Sequence, residues 1–211
     1  MHIAIFLFDG VTALDAVGPF ESIVRLPDAK ITFVSGKIGP VRTGDGFLSL
    51  NASADFASVP QADVLIVPGG HPTGLRAALG NQELHQWIQT VDAKSRWTCS
   101  VCSGSLILGA AGVLAGRRAS TNFRAKEYLA RFKVEYSEDR VTIDGKYITS
   151  AGVSAGIDMG LMLCEKLAGR ELAEAIELSM QYSPQPPFGT GDYKSSATPR
   201  RLELIEKILR N

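Results

Sequence analysis

The stretch "WTCSVCSGSLILGAAGVLAG", Trp97 to Gly116, changes character part-way along. Trp97–Val101 reads as a short buried strand, and the small and aliphatic residues from Ser103 to Leu114 predict the helix that follows. Cys102 falls on the junction. A strand passing straight into a helix is the repeating unit of α/β folds. The start of a helix aims backbone amides at whatever side chain stands there, and the positive end of its dipole favours a thiolate. Gly104 permits the sharp turn of a nucleophile elbow. On the residues alone two readings of Cys102 stay open, a reactive thiol and a small buried hydrophobe.

The flanking sequence repeats the same alternation. Ile3–Phe8 is a continuous apolar run stopped by Asp9-Gly10, the pattern of a strand buried on both faces of a parallel sheet. Leu14, Val17, Ile23 and Val24 recur at helical spacing, with Pro19 tolerated in the early turns. Ile31–Val34 predicts the next strand, "VRTGDGFLSLNASADF" (41–56) an extended hairpin excursion, and "DVLIVPGG" (63–70) the clearest buried strand. A helix over "QELHQWIQTVDA" (82–93) precedes the opening stretch. After it come a hairpin in "RVTIDGKYITSAG" (140–152) turning on Asp144-Gly145, and helices over Gly156–Leu167 and Glu171–Met180. "YSPQPPFGTGDYKSS" (182–196) is too rich in proline and glycine to be regular. "PRRLELIEKILR" (199–210) predicts an amphipathic helix with Leu202, Ile205 and Leu209 on one face, packed on the body. Together these predict an α/β doubly wound, mostly parallel sheet sandwiched by helices with a small β-hairpin excursion. A single domain, 1–211, is expected, with its site at the carboxyl ends of the strands.

Lysine plus arginine and aspartate plus glutamate balance at 22 each, so no net field recruits nucleic acid or an anionic membrane surface. A small-molecule substrate is the expected partner. The three cysteines, Cys99, Cys102 and Cys164, make an odd count that suits a reducing, cytoplasmic setting. "MHIAIFLFDG" lacks a basic leader, and Leu106–Leu114 is too short for a membrane span. His2, His71 and His85 lack metal-ligand spacing, and the lone C-x-x-C of Cys99 and Cys102 has no second pair, so no metal is expected. Neither a dinucleotide fingerprint nor a Walker pattern occurs, and no cofactor is expected.

Asp15 carries two readings. Thr12-x-x-Asp15 resembles a capping box, in which the acid satisfies helix amides. If Asp15 instead faces the strand ends, a carboxylate beside Cys102 can shuttle protons. Glu21 is an exposed helix acid or a second carboxylate near the site. Gly69 and Gly70 close the most apolar strand, and their amides can cradle a developing negative charge or simply allow a tight exit. His71 follows as a candidate base.

"SVCSGSLILGAAGVLAGRRAST" (100–121), "FDGVTALDAVGPFES" (8–22), "VLIVPGG" (64–70) and "SAGVSAGIDMGL" (150–161) resemble the ThiJ/PfpI superfamily, which is class I glutamine amidotransferase-like and flavodoxin-like. Within it the chain is most similar to the isonitrile hydratase branch, a resemblance that extends to "QYSPQPPFGTG" (181–191). It implies a homodimer in which Cys102 is the nucleophile at an elbow and Asp15 its acidic partner. The amides of Gly70 and Ser103 would line the pocket, Ser103 standing where the branch commonly carries threonine. One departure is Asn122-Phe123 in place of a usual His-Trp, and asparagine cannot act as a base. The implied activity is that of a lyase hydrating an isocyanide to an N-substituted formamide without cofactor. Glyoxalase- or deglycase-like chemistry on reactive carbonyls is the enzymatic alternative. A non-enzymatic ligand- or stress-sensing module is the other, with the chain end at Asn211 leaving no room for a helix-turn-helix region.

Overall fold

The apolar runs around Ile3–Phe6 and Val64–Val67 pair side by side as parallel strands at the centre of a sheet. Helices cover both of its faces there, so no polar alternation is needed. The computed structural model describes residues 1–44 and 46–208. The chain runs through β1 (His2–Phe6), α1 (Ala13–Ile23), β2 (Lys30–Ser35), β3 (Gly39–Arg42), β4 (Ser49–Ala52), β5 (Ala54–Asp55) and β6 (Val64–Val67). It continues with α2 (Pro72–Leu79), α3 (Gln82–Asp92), β7 (Trp97–Val101), α4 (Gly104–Ala110), β8 (Arg118–Ala119), α5 (Lys126–Leu129) and β9 (Glu135–Tyr136). β10 (Val141–Asp144), β11 (Tyr147–Ser150), α6 (Ala155–Ala168), α7 (Arg170–Ser179), α8 (Tyr193–Ser196) and α9 (Pro199–Ile208) complete it.

The main sheet has seven strands in the order β10-β11-β7-β6-β1-β2-β5, parallel throughout except for β10 on β11. Strand order reverses between β1 and β6, and this switch point opens a crevice at the carboxyl ends of the strands. The doubly wound, flavodoxin-like expectation holds, and β3–β4 is the antiparallel hairpin excursion. α1 packs on α6, and α6 on α7, while α2, α3 and α4 form a second group. No helix among the described residues is long and apolar enough to cross a membrane.

Several elements differ from their sequence reading. Of the apolar residues at helical spacing, Ile23 is buried but Leu14 on α1 and Val24 at its C-cap are exposed, and the buried face is completed by Asp15, Ala16, Gly18, Pro19 and Ser22. Small residues allow a close approach to α6: a Cβ on Gly160 would stand 3.0 Å from Pro19 Cα and 3.0 Å from Ser22 Oγ. α4 stops at Ala110 rather than Leu114, because Gly112 leaves the helical region at φ +81°. The β10–β11 register pairs Asp144 with Tyr147, so the tight turn falls one residue later, on Gly145-Lys146. The irregular arm contains one helical turn, α8. α9 has no buried residue, so it adds nothing to the core and rests on the body through a partly covered Ile205 and an ion pair of Glu206 with Arg124, and Leu209 lies outside the described residues.

The crossing from β7 into α4 passes directly over β6. A Cβ on Gly104 would lie 2.0 Å from the carbonyl oxygen of Val67, and relieving that overlap must push α4 off the sheet. Gly104→Ala is therefore expected to cost at least about 2 kcal/mol of stability, read as a lower urea midpoint. A midpoint equal to wild type would show that the close crossing is not required.

Candidate active site

Cys102 leaves β7 with φ +57°, a left-handed conformation in a residue that has a Cβ. The surroundings impose it. Its amide donates to the carbonyls of Ser150 (3.1 Å) and Ala151 (2.9 Å), and its own carbonyl accepts from Thr121 Oγ1 at 3.0 Å. The thiol thereby stands at the strand-to-helix junction, as an elbow does, and is 7 % exposed.

Asp15 is fully buried beneath it. The capping-box reading fails, since Thr12 makes no side-chain cap bond and Asp15 Oδ2 accepts from the amide of Gly69, 54 residues away, at 3.1 Å. Oδ1 has no conventional hydrogen-bond partner among the described residues. Burial pushes the Asp15 carboxyl up to about 7, opposed by the Gly69 amide and by the nearby Cys102 thiol, which hydrogen-bonds to the charged form. Glu21, the other candidate acid, pairs with Arg25 at 3.1 Å on the surface.

The expected lowering of the thiol pKa does not survive burial. Desolvation first, and then the Asp15 charge, push the Cys102 thiol up to about 12, against the Ser103 amide and hydrogen bonds from the Asn122 and Ser103 side chains. Near pH 7 the thiol therefore keeps its proton, while the carboxyl beside it is poised between its neutral and charged forms. Asn122 is fixed for its part by the Arg124 amide, which donates to Asn122 Oδ1 at 3.1 Å and leaves Nδ2 for the sulfur.

Gly69 and Gly70 do not form a free oxyanion pair. The Gly69 amide is committed to Asp15, and the Gly70 amide donates to Ser103 Oγ at 3.3 Å. Glycine at 69 is required all the same, because a Cβ would meet Ser103 Oγ at 2.5 Å and Asp15 Oδ2 at 3.0 Å. His71 caps α2, its Nδ1 accepting from the Thr73 amide at 3.4 Å. It shares with Gly70, Cys102, Ser103 and Asn122 the lining of a cavity of about 1280 Å³, and Cys102 and Ser103 are in turn the neighbours of Asp15 and Gly69. Cys99 and Cys164 are buried free thiols away from this cavity. The outer wall, including Leu75, Leu79, Tyr128 and Ile205, escaped the sequence reading. Its one signal was the apolar stripe of the last helix.

A flavodoxin-like sheet carrying a left-handed cysteine at an elbow, over a buried acid at the switch point, defines a class of cysteine-elbow α/β proteins. The chain belongs to the DJ-1/PfpI family, whose model matches residues 1–166. Isonitrile hydratase of Pseudomonas putida is 36 % identical over 191 residues, covering 90 % of this chain and 82 % of that protein. A ThiJ/PfpI family protein from Pseudomonas syringae, known by crystal structure, superposes with a TM-score of 0.93 at 35 % identity, covering 99 % of this chain and 87 % of that one. The transcriptional regulator CdhR of Pseudomonas aeruginosa is 34 % identical over 149 residues, 68 % of this chain but 42 % of that protein.

The raised Asp15 pKa has a stability consequence with a definite sign. The native protein keeps a proton that the unfolded chain releases above the ordinary 3.8, up to about 7. Stability therefore falls as pH rises through that window, by on the order of 4 kcal/mol. Asp15→Asn keeps an acceptor for Gly69 and cannot ionise, so its stability should stay flat where wild type declines. Urea midpoints of the two proteins at pH 4, 5.5, 7 and 8 check this, and parallel curves would place the Asp15 pKa near its ordinary value.

Proposed function

We propose that the protein is an isonitrile hydratase, a lyase that adds water across R–N≡C to give the N-substituted formamide. The observation that carries the reading is the thiol on a left-handed elbow, at the floor of a cavity and in contact with a buried carboxyl that titrates near 7. The relative from Pseudomonas putida supports the substrate assignment.

The reacting form of the pair holds one proton. Sγ of Cys102 bonds to the terminal carbon of the isocyanide while Asp15 delivers the shared proton to that carbon, giving the thioimidate R–N=CH–S. The carbon then stands one bond from the sulfur that Asp15 already touches. The Asp15 carboxylate next takes a proton from water as the hydroxide adds to the same carbon. The nitrogen gains that proton, the C–S bond breaks, and the hydroxyl proton returns to Asp15 as R–NH–CHO leaves. Water has been consumed and the pair is restored with its single proton.

Asn122 Nδ2 and the Ser103 amide stabilise the sulfur as it takes up charge, and Gly70 with Ser103 Oγ flanks the tetrahedral adduct. Asn122 cannot accept a proton, which counts against carbonyl chemistry that needs a histidine base beside the thiol. His71 lines the cavity without a step of its own. The proposal includes residues 1–211 acting as one domain, in the cytoplasm and as a homodimer. The free state of all three cysteines fits a reducing compartment, and the exposed Leu14 of α1 and Val24 at its C-cap offer apolar contact to a second subunit.

Incubation with cyclohexyl isocyanide should yield N-cyclohexylformamide by chromatography. Cys102→Ala should abolish it, and Asp15→Asn should slow it by about 10²–10⁴-fold, the range for a lost general acid–base. Wild-type turnover by Cys102→Ala, or lactate from methylglyoxal with no formamide from any isocyanide, would defeat the reading.

A further inference from the structure

The cavity over Cys102, about 1280 Å³, is larger than the roughly 300–1,000 Å³ usual for small-molecule sites. Only its inner end carries the reacting groups. Farther out it is lined by Leu75 and Leu79 of α2, Leu106 of α4, Tyr128 of α5, and Ile205 and Ile208 of α9. Charge on this lining, His71 aside, is limited among the described residues to Arg76, exposed on α2, and to the ion pair of Arg124 with Glu206 of α9. An occupant of the outer chamber meets apolar surface.

α9 is an unusual wall. Ile205 is its only residue among those described that is not exposed, and it lines this cavity with Ile208, so what apolar cover the helix provides goes to the site and none to the core. Two clasps hold it. One is the Arg124–Glu206 ion pair. The other is the preceding turn, where the Tyr193 ring stacks on Phe123 at 5.1 Å and 8°, and its hydroxyl meets that of Tyr136 at 3.0 Å. Phe123 and Arg124 directly follow Asn122, so the clasps join the wall to the loop that carries a group at the sulfur. The family model ends at residue 166, well before α9. The reacting groups lie in the shared stretch, and this wall lies beyond it.

We propose that α9 is the substrate-selecting wall of the site, fitting it to uncharged isocyanides with a bulky cyclic or aromatic substituent. The assignment of the reacting group rests on the hydratase reading. The shape and polarity of the chamber do not. Ile205 is a specificity-determining residue: a carboxylate at that position puts charge where the substituent rests, and an indole fills the space.

Ile205→Asp and Ile205→Trp, both at a partly exposed position that spares the core, test this against wild type with two pairs of probes. The first readout is the ratio of kcat/KM for 2-naphthyl over methyl isocyanide. The second is the ratio of Cys102 alkylation rates by N-benzyl iodoacetamide over iodoacetamide, followed by intact mass, which requires no turnover. Both ratios should fall at least tenfold in both variants. Ratios equal to wild type in the two assays would overturn the wall. A fallen alkylation ratio with no formamide from any isocyanide would uphold the wall and reject the hydratase reading instead.

Discussion

The site depends on the left-handed backbone at Cys102. A conformation of that kind in a residue with a side chain costs of order 1–3 kcal/mol and persists only where its neighbours over-determine it. Here the carbonyls of Ser150 and Ala151 hold the amide, Thr121 holds the carbonyl, and Gly104 lets α4 cross close over Val67. The same turn places Ser103 so close to Gly69 that no side chain fits between them. Gly69 in turn offers its amide to Asp15. Elbow, glycine and acid are one mechanical unit, assembled from the ends of β1, β6 and β7 at the switch point of the sheet.

Electrostatics inside this unit run against the simple picture of a thiol activated by a helix. α4 spans only Gly104–Ala110, and its amides compete with burial and with the charge of Asp15. Two buried acids in contact are expensive to ionise together, so Asp15 and Cys102 titrate as a coupled pair, and the proposed mechanism starts from its singly protonated form. In that mechanism the ionisation that matters is the first, set near neutrality by the carboxyl. Asn122 supplies a hydrogen bond that does not titrate, which leaves the proton count of the site to Asp15 and Cys102.

Much of the fold was legible because strands buried on both faces are written as unbroken apolar runs, and because Cys102 sits where two periodicities meet. Asp15 was ambiguous for a physical reason: a capping acid and a site acid share the same local spacing, and only the tertiary approach of Gly69 distinguishes them. The amides of Gly69 and Gly70 carried two readings on the same ground, since the partner of a loop amide is set by what folds against it, here Asp15 and Ser103. Most of the buried face of α1 was not legible because Gly18, Pro19 and Ser22 pack through closeness to α6, a property of two helices together. α9 showed its apolar stripe in sequence, but nothing local says whether such a stripe covers a core or a cavity.

The central claim is that Cys102 bonds to the substrate carbon. Its most direct test is a single turnover with excess enzyme and a ¹³C-labelled isocyanide, quenched at intervals and followed by peptide mass spectrometry. An adduct of one isocyanide on the Cys102 peptide, rising before labelled formamide and decaying into it, is the predicted result. Labelled formamide accumulating while Cys102 stays unmodified throughout would contradict the account.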